Sequence, residues 1–189
     1  MERKKINQIL RCVWRFLGIA AAISAWLTIL LSILQNQWFD LYKHALSDLG
    51  DPKANKPWIY NGGLIIVGAM TCVYSFYIVY RSSNKGHAFA SALIFTAGVF
   101  LALIGIYPSG TRPHTFVSTW FFVQMWLATI ATMIAMIMDR NTIYAIIPGI
   151  VAVAGPLGAV FIRWPSIALL EIFGILLIDV YIIVLTLYF

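Results

Sequence analysis

Four polar residues stand close together in an otherwise apolar chain: Asp40, His44, Ser47 and Asp48, spaced i, i+4, i+7 and i+8. On a helix this spacing puts all four on one face, with Phe39, Tyr42, Leu46 and Leu49 towards the other. The residue types suit hydrolysis or group transfer. A histidine four residues from an aspartate is an oriented general base, and Ser47 beside it is a candidate nucleophile. Two histidines and a carboxylate with one open position form a catalytic zinc pattern. His44, His114 and Asp48 are therefore candidate ligands for a divalent metal such as zinc, which would supply hydroxide near neutral pH. The sequence has no His-x-x-x-His pair to reinforce that pattern. The same run also reads structurally, with Ser47 and Asp48 bonding backbone groups to fix a loop.

These residues need elements to hold them, and the composition says which. The chain is 61% hydrophobic and 11% charged, against about 45–50% and 25% in soluble domains. It reads as all-α: a polytopic bundle of six transmembrane helices, with a short amphipathic interfacial helix over 39–49 after the first span, closed by Gly50 as a C-terminal cap. The expected spans are 13–34, 59–80, 88–107, 116–138, 143–162 and 167–188, in one transmembrane domain of residues 1–189. Each is about 20 residues, the length a ~30 Å hydrocarbon core requires. Helices are obligatory, because an open strand leaves backbone groups unpaired in lipid. Residues 35–58 form the connection that carries the main polar motif.

Lys and Arg give the orientation. With the N-terminus inside, eight lie on the inner side, five of them in the first fifteen residues, and five on the outer side. The bias predicts a cell-membrane protein with both termini cytoplasmic. The basic tail is thus a topology signal. The net charge of +6 does not indicate nucleic acid, because no basic patch is interleaved with aromatics. Cys12 and Cys72 are read as small apolar side chains.

With this topology the first, third and fifth connections share the outer face. They bring Asp40, His44, Ser47, Asp48, Arg112, His114 and Arg163 to one surface, with Asn61 at the start of the second span and Glu171 about one turn inside the sixth. Asn61, Arg112, Arg163 and Glu171 are candidate substrate-binding residues. The arginines either hold an anion such as a lipid phosphate near a helix N-terminus or snorkel to headgroups. His87, on the inner side, is expected to be a solvated loop residue. Pro148 and Pro156 kink the fifth span, which is expected to pack inside the bundle, where neighbours satisfy its freed carbonyls. Asp179 lies deep in the sixth span and needs a partner.

The run His44-Ala-Leu-Ser47-Asp48-Leu-Gly50, with Pro57 and Ile59-Tyr60-Asn61-Gly62-Gly63, resembles the small membrane proteins of the domain of unknown function 998 family. Tyr107-Pro108 and His114 before Phe-Val-Ser-Thr-Trp-Phe-Phe fit the same family, and the resemblance covers most of the chain in span count and order. The Ser-Asp-x-Gly motif is also distantly similar to the Frag1/DRAM/Sfk1 membrane family, which implies a connection with lipid. The expected function is to act on or bind a membrane lipid or lipid-linked substrate at the extracytoplasmic face, as a His/Asp-based hydrolase or transferase. The alternatives are a non-enzymatic lipid-binding or scaffolding protein and a small transporter.

Overall fold

The computed structural model describes residues 2–189, with side chains from Val13 onward. Cys12 and the basic side chains before it lie outside the described side chains. Six helices follow one another: α1 (Glu2–Gln35), α2 (Pro57–Arg81), α3 (Lys85–Ile106), α4 (His114–Met138), α5 (Thr142–Phe161) and α6 (Ile167–Tyr188). All six are long and apolar enough to cross a membrane, and no strand occurs among the described residues. The protein is an integral membrane protein. The α1–α2, α3–α4 and α5–α6 connections lie at one end, here the loop face. The chain termini and the other two connections lie at the opposite, terminal face.

The helices start where local chemistry allows. Pro57 opens α2 at a position that needs no N–H. The Asn84 side chain caps α3 by accepting from the N–H groups of Gly86 (2.8 Å) and His87 (3.2 Å). Ser166 caps α6 by accepting from Leu169 N–H at 3.2 Å. Small residues set the closest packing, as expected where lipid supplies no hydrophobic drive between helices. A Cβ on Gly68 would lie 2.6 Å from the Gly98 carbonyl, so α2 and α3 touch backbone to backbone there. In the core, Tyr74 and Tyr181 are fully buried, and each hydroxyl finds a partner, as a buried phenol requires. Tyr74 pairs with Thr186 at 3.2 Å and Tyr181 with Thr132 at 2.7 Å.

Two expectations about the elements are corrected. Residues 39–49 do not form an amphipathic helix. The segment runs through turns at 41–44 into a 3₁₀ turn, Leu46–Gly50. Leu46 and Leu49 are buried: the turn plugs the end of the bundle, and an extended helix lying flat would not bury both. Gly50 is not a left-handed cap. It is needed because a Cβ there would collide with the Asn61 amide and the Tyr60 ring. The second correction concerns α5, which is peripheral, with Ile143 77% and Val160 74% exposed. At its second proline one neighbour satisfies the freed carbonyl. Pro156 has no N–H for the Ala152 carbonyl, and Trp126 Nε1 on α4 donates to that oxygen at 2.8 Å.

Candidate functional site

The loop face is assembled by hydrogen bonds from the first connection to distant helices. The Leu46 N–H donates to Glu171 Oε2 at 2.7 Å. Ala168 N–H donates to the His44 carbonyl at 3.0 Å, and the Ser166 hydroxyl to the Leu41 carbonyl at 2.6 Å. Asp48 accepts from Ala45 N–H at 2.9 Å and from the Ser109 hydroxyl at 3.1 Å, tying the first connection to the third. Asn61 Nδ2 donates to the Gly50 carbonyl at 2.9 Å. Buried Asn36 holds the other side, accepting from Asn55 N–H at 2.7 Å and Trp38 Nε1 at 2.9 Å.

The expected chemical residues therefore separate. Asp40 points to the surface, where Lys43 pairs with it at 2.8 Å and Tyr42 N–H donates to it at 2.9 Å. The lysine, with that N–H, holds the carboxyl below its ordinary range. His44 is oriented by main chain, not by the Asp40 carboxylate: its Nδ1 accepts from the Asp40 N–H at 2.9 Å. Its half-buried ring packs against Trp38 and Phe39, with ring centroids 5.1 and 5.7 Å away. Ser47 is buried, with no hydrogen bond to His44 among the described residues. His114 opens α4 and bonds through Nδ1 to the Tyr107 carbonyl at 2.8 Å. His44, His114 and Asp48 do not assemble as the predicted metal triad. Among the described residues no three His, Cys, Asp or Glu side chains are grouped to hold a metal ion. The physical reason is that turns, not one helix, carry the motif, and Asp48 is tied to the Ala45 N–H and the Ser109 hydroxyl. Arg112 and Arg163 are exposed and make no hydrogen bond or ion pair among the described residues.

Beneath this cap lie two adjacent cavities. One is a cavity of about 100 Å³ at the bundle centre, walled by α1, α2, α3, α4 and α6 under Leu46 and Ser47. The other, about 430 Å³, lies between α4, α5 and α6. Ser118, Phe122, Met125, Glu171 and Ile178 line both. The larger cavity reaches the surface at Thr119, Pro156 and Ile167, which are exposed. Asp179 lines the central cavity and accepts from Trp26 Nε1 at 2.7 Å; Trp26 is the partner that its depth demands.

The terminal face carries a cluster that sequence reading missed. His87 is not solvated: it is fully buried, with Nε2 2.9 Å from Asp139 Oδ2. Asp139 also accepts from Asn84 Nδ2 at 2.7 Å, from the Tyr188 hydroxyl at 2.6 Å and from the Ser83 hydroxyl. Partial burial raises this carboxyl, but the four donors outweigh it and hold it well below its ordinary range. An aspartate in one short connection and a histidine next to another, both at the same face, was the available signal.

Comparison with curated proteins and with solved structures gives no match. One family model does match, over residues 19–188, from within α1 to the end of α6: the chain belongs to the family of proteins of unknown function DUF998.

Proposed function

We propose that this protein binds a membrane lipid or lipid-linked amphiphile within the bundle, at the face opposite its termini, which the Lys/Arg bias makes extracytoplasmic. The observation that carries this reading is the cavity of about 430 Å³ between α4, α5 and α6. Binding pockets for small molecules are typically ~300–1,000 Å³, mostly apolar, with a few placed polar groups. This one has mostly aliphatic and aromatic walls, with Glu171 towards the loop face and Ser118, Thr119 and Thr129 as the other polar groups. Its stretch of α6 from Ile167 to Ile178 runs about 17 Å at the helical rise. That is about half of a ~30 Å hydrocarbon core, the depth of one leaflet. Binding, and not turnover, is the reading the geometry supports best. Asp48 is taken up by the Ala45 N–H and the Ser109 hydroxyl, and Ser47 has no hydrogen bond to His44 among the described residues.

The test is lipid retained after detergent exchange, measured by mass spectrometry on wild type and Gly155→Leu. A Cβ on Gly155 would meet Leu177 Cδ1 at 3.7 Å, an ordinary contact, so a larger side chain there fills the cavity without breaking the helix. Wild type is expected to keep about one amphiphile per chain and the variant at least tenfold less. Equal retention in both, or none in wild type, overturns the reading.

A further inference from the structure

Glu171 is the residue that sets the ligand's chemistry. One of its oxygens, Oε2, is engaged by the Leu46 N–H at 2.7 Å; Oε1 makes no hydrogen bond among the described residues. The residue lines both cavities. Among the described residues, the only other acidic one on either wall is Asp179, in the central cavity, where Trp26 already donates to it. No Lys, Arg or His among the described residues lines either cavity. A carboxyl group with an open acceptor, in an apolar space with no cation, repels an anionic head and attracts a donor that carries positive charge. We propose that the cavity selects a cationic amphiphile whose ammonium N–H groups bond to Glu171 and whose apolar chain lies along α4 and α6 towards Ile178. This rests on the lipid-binding reading and adds the class of head group. Two sources share that chemistry: a single-chain long-chain amine, or a phospholipid with a primary ammonium head.

Delipidated protein in detergent is titrated with dodecylamine, dodecyltrimethylammonium, dodecanoate and dioctanoyl phosphatidylethanolamine. The readout is tryptophan fluorescence, since Trp126 lines the larger cavity. Dodecylamine is expected to bind at least tenfold tighter than dodecanoate. It should also exceed the trimethylated probe, which has the charge but no N–H. Tight binding of the phosphatidylethanolamine as well assigns the phospholipid source; its failure beside a binding dodecylamine assigns the single-chain amine. Glu171→Gln keeps an oxygen for the Leu46 N–H and is expected to bring amine and carboxylate within about twofold. The wild-type ranking alone suffices should that variant not fold. A carboxylate that binds as well as the amine, or an amine preference kept in Glu171→Gln, overturns the selection while the pocket stands. Failure of all four probes on wild type overturns both.

Discussion

Asp139 collects four donors from three parts of the chain: Ser83 and Asn84 before α3, His87 in its first turn, and Tyr188 at the end of α6. A carboxylate so placed is stabilised in its charged form, because each hydrogen bond favours the anion. Its folded value lies below the unfolded one, so its contribution to stability is complete above the ordinary carboxylate range and is lost as pH falls through that lowered value. Acid unfolding of wild type should therefore steepen below about pH 4. Asp139→Ala strips the partner from fully buried His87, whose Nδ1 already has none. The expected cost is about 3 kcal/mol, read by chemical denaturation in detergent at neutral pH, with a weaker acid dependence than wild type. A change below about 0.5 kcal/mol would show the cluster to be ornamental. His87 was legible as a histidine near a loop. That it is buried was not, because its burial is made by Tyr188 and Phe189, whose rings stand 5.3 and 5.1 Å away from the far end of the chain.

Two prolines, Pro148 and Pro156, lie inside α5. Pro156 costs it one hydrogen bond, and the indole of Trp126 replaces that bond from α4. The same indole walls the larger cavity, so the proline site and the pocket share a support. Trp126→Phe keeps an aromatic wall and leaves the Ala152 carbonyl without its donor inside an apolar span. The expected loss is about 1 kcal/mol, typical of an interhelical hydrogen bond in a membrane, measured by SDS-induced unfolding; an unchanged midpoint would deny the indole this role. The prolines were visible in the sequence, and so was the need to satisfy the freed carbonyl. Which residue would do it was not, since Trp126 lies 26 positions away on another helix. The 3₁₀ turn Leu46–Gly50 teaches the converse. Its polar spacing fits a helix, but two buried leucines and the contact of Gly50 with Asn61 cannot coexist with one.

On the scale of the whole molecule, six spans put both termini on one side, and the Lys/Arg bias predicts that this side is cytoplasmic. In a chain carrying Cys12→Ser and Cys72→Ala, a thiol at Tyr42, 65% exposed at the loop face, is expected to react with a membrane-impermeant maleimide in intact cells. A thiol at Lys85, exposed at the terminal face, should react only after permeabilisation. The opposite pattern would invert the protein and move the proposed cavity mouth to the cytoplasmic leaflet.

Hydropathy by itself determined the number of spans, their class and their approximate limits, because lipid leaves a chain of this composition no other way to satisfy its backbone. The charge count supplied an orientation to test, and the motifs around Ser47-Asp48 and Asn61 pointed to the family. Only the tertiary structure decided which polar residues meet. The pairs that build the loop face, Leu46 with Glu171 and Leu41 with Ser166, are each 125 positions apart. No periodicity within a span encodes them. They depend on how the helices pack, and in lipid that packing is set by small residues and single hydrogen bonds, not by the hydrophobic pattern that reveals the spans.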